Sequence, residues 1–151
     1  MSLGGGVSSA LDAAVTKSAD GGVFYSVAAG NSGADACNSS PARAGTHDGV
    51  LTTAATDINN LEPSWSSFGA CVDLWAPGVN VLSTKLSGGT TTMSGTSMAS
   101  PHSGGTGALY LSSHTGASAA MTESDLKASG VWTGTTSKDG RPIKLASAAP
   151  F

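Results

Sequence analysis

The sequence predicts an α/β fold with a parallel sheet, and the order of its first three patterns is the main observation. Residues 1–3 can form a strand, residues 10–19 carry an apolar stripe at helical spacing, and residues 23–29 are continuously apolar and partly β-branched. A strand, a helix and a strand in this order form a βαβ unit with parallel strands. No repeat or linker divides the 151 residues, a length that suffices for one domain with its own core.

The composition argues against several classes of function. Only 11% of the residues are charged, against about 25% in typical domains, and 21 of the 151 are glycine. Such a composition is typical of tightly packed secreted hydrolases or of disordered Gly/Ser/Thr segments, and the apolar run over residues 23–29 argues against disorder. The net charge of −3 and the lack of a basic patch argue against nucleic-acid binding. No apolar run approaches the roughly 20 residues that cross a membrane, and we expect no signal peptide in this chain.

The first helix has recognisable start and stop signals. Ser8 or Ser9 can cap it, and Gly21 and Gly22 end it. Its apolar stripe consists of Leu11, Ala14, Val15 and Ala19. The strand over residues 23–29 follows directly.

The central part of the chain predicts further strands. They are expected over residues 51–56, 65–69, 71–76 and 79–84. Apolar and polar residues alternate in the last of these, which predicts a half-buried strand. A hairpin around Gly88 and Gly89 then leads to the next segment.

The last third of the chain predicts two helices and a final strand. The earlier of these two helices is expected over residues 101–113, although three glycines, Gly104, Gly105 and Gly107, weaken it. The second helix is expected to be capped by Thr122 and to end at Gly130. Asp139 and Gly140 suit a hairpin turn. Residues 142–146 suit an edge strand, since proline is tolerated there.

The segment Gly-Thr-Ser-Met-Ala-Ser-Pro-His at residues 95–102 is the strongest candidate site. Small residues surround Ser97, so a substrate backbone can approach it closely. Pro101 suits the first turn of a helix, which would place Ser97 just ahead of the positive end of the helix dipole. That position suits a nucleophile whose reaction develops an oxyanion. The simpler interpretation of a bare Ser-x-x-x-Pro is a helix cap.

Asn31 belongs to a second candidate segment, Gly-Asn-Ser-Gly at residues 30–33. Open parallel sheets bind ligands at the carboxyl ends of their strands, and this segment follows the strand over residues 23–29. The side-chain NH₂ of Asn31 can donate to an oxyanion. An asparagine between glycines is also a common turn residue, so the residue alone leaves both interpretations open.

The cysteines and histidines carry weaker signals. Cys37 and Cys71 can form one disulfide or remain two buried thiols. A lone histidine in a loop, such as His47, is most simply a solvated residue, and His114 follows the end of a helix. His102 lies within the helix that follows Ser97.

Five segments together resemble the secreted, proteinase K-like branch of the subtilisin-like serine proteases. Residues 95–102 are similar to the nucleophile motif of that family, and Ala-Ala-Gly-Asn-Ser-Gly at residues 28–33 is similar to the stretch with its oxyanion-hole asparagine. Further similarities lie at residues 1–5, 38–43 and 75–78, so the resemblance runs from Met1 to about Leu111. It implies a subtilisin-like parallel sheet flanked by helices, of which this chain is the incomplete, carboxyl-terminal part.

The resemblance also implies a role for each site residue. Ser97 would be the nucleophile, and the Asn31 side chain and the Ser97 N–H would hold the oxyanion. Backbone contacts with an extended peptide or protein substrate would come from Ser2, Leu3 and Gly4. The walls of the specificity pocket would be Ala28, Ala29 and Gly30.

Metal binding and cysteine pairing are implied in the same way. Catalysis in the family needs no cofactor, but a structural calcium ion would bind the Asp57 carboxylate with backbone carbonyls of Pro41 and Arg43. Asp57 is equally suited to a turn. Cys37 and Cys71 match positions that are paired in some family members, which implies a disulfide.

The catalytic Asp and His of the family belong to motifs upstream of the Ser-Leu-Gly-Gly segment, and no His-Gly-Thr occurs in this chain. We therefore expect residues 1–151 to be the carboxyl-terminal part of a single subtilisin-like peptidase domain from an extracellular parent. Without the amino-terminal half, the chain alone is expected to be inactive. The alternative is a non-catalytic relic, or a fragment that completes a partner chain.

Overall fold

A mixed five-stranded sheet forms the centre of the computed structural model, which describes residues 1–149 and 151. The strand order is β1-β2-β3-β7-β6, in which β1, β2, β3 and β7 are parallel and β6 is antiparallel to β7. The bounds are β1 Tyr25–Ala28, β2 Val50–Thr56, β3 Leu74–Pro77, β6 Val131–Thr136 and β7 Pro142–Leu145. A separate antiparallel hairpin consists of β4 Val81–Thr84 and β5 Thr90–Met93.

Three helices pack against this sheet, namely α1 Ser9–Asp20, α2 Thr96–Ser113 and α3 Ala119–Ser129. Ser8 caps α1 by accepting a hydrogen bond from the Leu11 N–H, as one of the two predicted caps. The predicted cap of α3 was wrong, because Ser118 accepts the cap bond and Thr122 lies inside the helix. The Thr122 hydroxyl instead donates to the Ser118 carbonyl at 2.9 Å. Gly130 ends α3 as predicted.

Helix α2 begins earlier than the sequence predicts. Its first residue is Thr96, so Ser97 lies within the first turn rather than ahead of the helix. Pro101 lies inside the helix, where its missing N–H leaves the Ser97 carbonyl without the usual donor four residues on. The early start has a physical reason: the side chain of Asn31 accepts the Thr96 N–H at 2.8 Å and thereby caps this end.

The strand predictions were partly wrong. Residues 1–3, all described, form no strand, although backbone hydrogen bonds join Met1 to Ser26 and Ala28 in β1. Residues 65–69 contribute only an isolated bridge, between Asp35 and Phe68. The strand over residues 79–84 was expected to be half-buried, but β4 is mostly exposed, with Leu82 67% exposed, because the β4–β5 hairpin pairs only with itself.

The end of the sheet also differs from prediction. Strand β7 lies between β3 and β6, so the edge strand is β6, which the sequence did not predict. Its run of threonines around Gly134 has no apolar alternation, and its pairing with β7 skips residues between Trp132 and Thr136. The Asp139–Gly140 turn joins the two strands as predicted.

The core lies between the sheet and its helices. Its largest fully buried side chains include Leu51, Leu74, Trp75, Tyr110 and Leu126. Helix α2 packs across β1, β2 and β3, and this brings its amino end to the carboxyl end of β1. A disulfide joins Cys37 to Cys71, with their Cα atoms 5.3 Å apart.

Candidate functional site

A cleft of about 530 Å³ opens where β1 ends and α2 begins. Its lining brings together most of the residues that the sequence analysis selected: Leu3, Gly4, Ala28, Ala29, Gly30, Asn31 and Ser97. Ser2 instead lines a separate groove beside β1, with Met1 and Pro101. The cleft lining contains no ionisable side chain among the described residues, so its chemistry depends on hydroxyl, amide and backbone groups.

Ser97 lies in the first turn of α2 and is half-buried at the cleft. The first four N–H groups of a helix have no intrahelical acceptor, so the Ser97 N–H can donate to a ligand. The positive end of the helix dipole favours negative charge at the same place. This end of the helix can therefore stabilise an anion that forms beside the Ser97 hydroxyl.

The Asn31 side chain is oriented by Thr96. Its Oδ1 atom accepts the Thr96 N–H at 2.8 Å and the Thr96 hydroxyl at 2.9 Å. Two donors on one oxygen decide which way the amide is turned, and the Nδ2 group must point away from Thr96. Asn31 is exposed, so its NH₂ is free to donate to a molecule in the cleft.

Thr96 also fastens the cleft to β1. Its hydroxyl accepts the Gly30 N–H at 3.0 Å while it donates to Asn31, so a single fully buried side chain joins both. The sequence gives no sign of this role of Thr96. Thr96 adjoins Ser97 in the selected segment, but its partners lie 65 and 66 positions away and leave no local pattern.

One turn further along α2, a reciprocal pair of serines repeats the attachment to β1. The Ser26 hydroxyl donates to the Ser100 carbonyl at 2.9 Å, and the Ser100 hydroxyl donates to the Ser26 carbonyl at 3.0 Å. Both residues are buried. Hydrogen bonds that satisfy each other in this way hold α2 at a fixed position along β1.

Comparison with known proteins shows which family has this fold. The model of the subtilase family of S8 peptidases matches residues 1–145. The chain belongs to the subtilase family. It has a subtilisin-like fold, because it superposes on a cold-adapted subtilisin-like serine proteinase with a TM-score of 0.92 and 42% identity. That match covers 98% of this chain and 53% of the solved chain.

Three other relatives give the same result. A solved protease from Pseudoalteromonas arctica matches with a TM-score of 0.85 and 32% identity, over 99% of this chain and 49% of that one. Alkaline serine exoprotease A of Vibrio alginolyticus is 50% identical over 123 residues, which are 82% of this chain and 22% of that protein. Subtilisin-like protease 3 of Trichophyton verrucosum is 50% identical over 111 residues, 74% of this chain and 27% of that one. This subtilase chain thus spans about a quarter of the length of these curated relatives and about half of the solved chains.

All three histidines of this subtilase chain lie outside the cleft lining. His47 lies 3.4 Å from Asp20 at the surface, and His114 stacks on Tyr110 with 4.2 Å between ring centroids. His102 shares a smaller groove of about 310 Å³ with Ser97, but its Nδ1 atom is 2.8 Å from the Met98 carbonyl of its own helix. His102 and His114 lie where the sequence places them, within α2 and directly after it, whereas His47 is half-buried beside Asp20 instead of being simply solvated.

Two of the three candidate calcium ligands already have backbone partners. Asp57 follows β2, and its Oδ1 atom accepts the N–H groups of Asn59 and Leu61 at 2.8 and 2.9 Å, as a turn aspartate does. The Pro41 carbonyl accepts the Ala44 N–H at 2.9 Å, and Arg43 lies in the short 3₁₀ helix Ala42–Thr46 that begins directly after Pro41. No group of three His, Cys, Asp or Glu side chains arranged for a metal occurs in residues 1–149 and 151. Calcium binding stays a prediction.

The carboxyl group with the most perturbed pKa lies at the opposite end of the strands from the cleft. Burial raises the pKa of Asp73 to about 6, although its carboxylate accepts the Thr52 N–H at 2.8 Å and lies 3.1 Å from the Lys127 ammonium. Asp73 precedes β3, whereas the cleft lies at the carboxyl end of β1. This carboxyl group joins α3 to the sheet and is not part of the cleft.

Within the described part of the chain, no helix is long and apolar enough to cross a membrane.

Proposed function

We propose that this chain supplies the nucleophile half of a serine endopeptidase from the subtilase family, acting on peptides or proteins. One observation carries the proposal: the Ser97 hydroxyl, the Ser97 N–H and the Asn31 amide meet in one cleft, and Thr96 holds that amide with its NH₂ free. Two donors and a hydroxyl are the groups that acyl transfer needs around its oxyanion.

In this proposal, Ser97 Oγ attacks the carbonyl carbon of the scissile peptide bond. The carbonyl oxygen becomes an oxyanion, which accepts hydrogen bonds from the Asn31 NH₂ and the Ser97 N–H. Collapse of this intermediate breaks the C–N bond, releases the amine and leaves an acyl group on Ser97, which water then hydrolyses. A base must take the proton of Ser97 and pass it to the nitrogen of the leaving amine, and the described residues of the cleft lining include no such base.

The neutral cleft leads to a specific expectation for the chain alone. A serine without a base is a weak nucleophile. The catalytic Asp and His would therefore come from an amino-terminal half, which matches the half-length coverage of the solved relatives. The disulfide supports an extracellular parent, since disulfides persist in oxidising compartments.

A fluorophosphonate that labels activated serines tests the proposal. The 151-residue chain alone should remain unlabelled. The same chain, mixed with the amino-terminal half of the catalytic domain of the Vibrio relative, should be labelled, and Ser97→Ala should abolish the label. Asn31→Ala in the same complex should lower kcat by about 10²–10³, the loss seen when a subtilisin loses this donor.

Two results would overturn parts of this proposal. Labelling of Ser97 in the chain alone would mean that the chain already contains a base. A folded two-part complex that neither takes the label nor cleaves a peptide would refute the nucleophile role of Ser97.

The second candidate function is a non-catalytic one, in which the chain is a relic or completes a partner. The absence of an ionisable side chain from the described cleft lining favours it. Size-exclusion chromatography distinguishes a chain that needs another half from one that is stable by itself. A chain that needs another half should associate or aggregate through its open sheet edge. A stable 14.7 kDa monomer would count against that need.

A further inference from the structure

The segment that carries Asn31 is held on its outer side by a loop from much later in the chain. We call residues 62–69 the support loop. Its Ser67 N–H donates to the Gly30 carbonyl at 2.9 Å, and its Trp65 carbonyl accepts the Gly33 N–H at 2.7 Å. A third bond joins the Phe68 N–H to the Ala34 carbonyl at 3.1 Å. Three hydrogen bonds therefore tie residues 30–34 to the support loop, in addition to the bonds that Gly30 and Asn31 make with Thr96.

The fit between the two segments leaves little room for movement. A Cβ atom added to Gly33 would lie 2.6 Å from the Ser64 carbonyl oxygen, and one added to Gly30 would lie 3.0 Å from the Ser67 hydroxyl. Both glycines have positive φ, at 63° and 109°. A displaced support loop would therefore push directly on the wall of the cleft.

The support loop is in turn organised around one ammonium group. Lys138, in the turn between β6 and β7, donates through Nζ to the carbonyls of Ser64 at 2.9 Å and Pro63 at 3.4 Å, and also to that of Ser66. The same ammonium lies 5.0 Å from the centroid of the Phe68 ring. An ammonium has three hydrogens, and each has a carbonyl to accept it.

Glu62 fastens the same contact from the other side. Its Oε2 atom accepts the Ser137 hydroxyl at 2.9 Å and the Lys138 N–H at 3.0 Å, while its Oε1 atom accepts the Trp75 indole N–H at 2.8 Å. The β6–β7 turn thus donates hydrogen bonds to carbonyls of the support loop through Lys138, and Glu62 of the support loop accepts hydrogen bonds from the turn. The partners are more than 70 positions apart, so the contact ties the end of the chain to the cleft wall.

We propose that Lys138 is a positioning residue. Its ammonium binds the carbonyls of the support loop as a bound cation would, and the support loop in turn holds the segment that carries Asn31. Carbonyl oxygens that converge on one point are how proteins bind free monovalent cations. Without its ammonium, the loop would keep the three carbonyls as a site that ammonium or K⁺ can fill. The proposal concerns the cleft wall and holds whether or not Ser97 is the nucleophile.

Amide hydrogen exchange on the full chain tests this without any assay of activity. In Lys138→Met, the amides of Gly33, Ser67 and Phe68 should exchange about tenfold faster or more, because hydrogen bonds to a charged group are the strong ones. Amides of β2 should keep their wild-type rates. Ammonium chloride should restore the slow exchange, whereas choline chloride at the same concentration should not. Lys144→Met is the matched control, since it removes the same charge from the exposed face of β7.

Three outcomes would overturn the proposal: wild-type exchange in Lys138→Met, equal recovery in ammonium and choline, or a uniform loss of protection that includes β2. Lys138→Arg covers the case in which the methionine variant does not fold. A guanidinium keeps the charge but spreads its donors over a planar fork. It should therefore give intermediate protection and no response to ammonium, and full wild-type protection would refute the need for converging donors.

Discussion

Replacing Thr96 by valine removes one hydroxyl from the junction between the cleft and β1. Valine has nearly the same shape, so packing around this fully buried residue is kept. Two hydrogen bonds are lost, one from the Gly30 N–H at 3.0 Å and one to Asn31 Oδ1 at 2.9 Å. The Asn31 oxygen still accepts the Thr96 N–H, but the Gly30 N–H is left without its acceptor.

The magnitude follows from these two losses. A partly buried N–H without an acceptor costs about 1–2 kcal/mol, and one further hydrogen bond contributes about 1 kcal/mol net. We expect Thr96→Val to lower the free energy of unfolding by about 2 kcal/mol or slightly more. Thr96→Ser keeps the hydroxyl and loses only a methyl group, which costs about 1 kcal/mol.

Urea unfolding of the two variants beside the wild type distinguishes the hydrogen bonds from hydrophobic burial. If the hydroxyl dominates, the valine variant is the less stable of the two. If burial of apolar surface dominates, the order reverses, so a valine variant as stable as the serine variant would refute the reasoning. The Asn31 side-chain NH₂ signals in an NMR spectrum provide a second measurement, since they should broaden or shift only in the valine variant.

Three further predictions concern stability. Because the folded state holds the pKa of Asp73 at about 6 against 3.8, it binds more protons than the unfolded state between these values, and the Asp73 contribution should fall by about 3 kcal/mol as pH rises from about 4 to about 6. Asp73→Asn should flatten this decline in urea-unfolding curves across that range, and an unchanged slope would count against it. Ser103→Ala should raise the free energy of unfolding by about 1 kcal/mol, as its buried hydroxyl has no partner in the described residues, and a lower urea midpoint would contradict this. Gly105→Ala should raise Tm by the equivalent of about 1 kcal/mol because its Cβ meets nothing, whereas Gly107→Ala should lower Tm because its Cβ would lie 2.5 Å from the Phe24 ring; equal shifts would refute the distinction.

Local patterns in the sequence predicted the parts of this fold that depend on local physics. The cap and apolar stripe predicted α1, and the continuous apolar run over residues 23–29 predicted β1. Residues 51–56 were expected as a strand and form most of β2, and the ends of all three elements differ from prediction by at most two residues. The small-residue segments around Ser97 and Asn31 do meet in one cleft, because α2 packs across the carboxyl end of β1. Their chemical roles stay predictions.

The remaining features depend on partners that are distant in the sequence. The start of α2 at Thr96 requires the Asn31 side chain as its cap, and Pro101 alone suggests a later start. Strand β6 forms because β7 pairs with it, despite a threonine-rich sequence with no alternation. The Glu62–Lys138 contact joins two loops, and loops carry no periodicity from which such a contact could be read.

The sequence separation of the partners around the cleft has a consequence for how the protein folds. Thr96 meets Asn31 across 65 positions, Ser100 meets Ser26 across 74, and Lys138 meets Ser64 across 74. Bringing together chain segments that are so far apart costs conformational entropy before any contact compensates for it. Pairing of parallel strands adds to this cost, because it also closes long loops. The cleft should therefore be among the last regions to become ordered during refolding, well after α1, whose cap bond spans only three residues. A partly folded chain would then hold its helices before it holds the surface on which any chemistry depends.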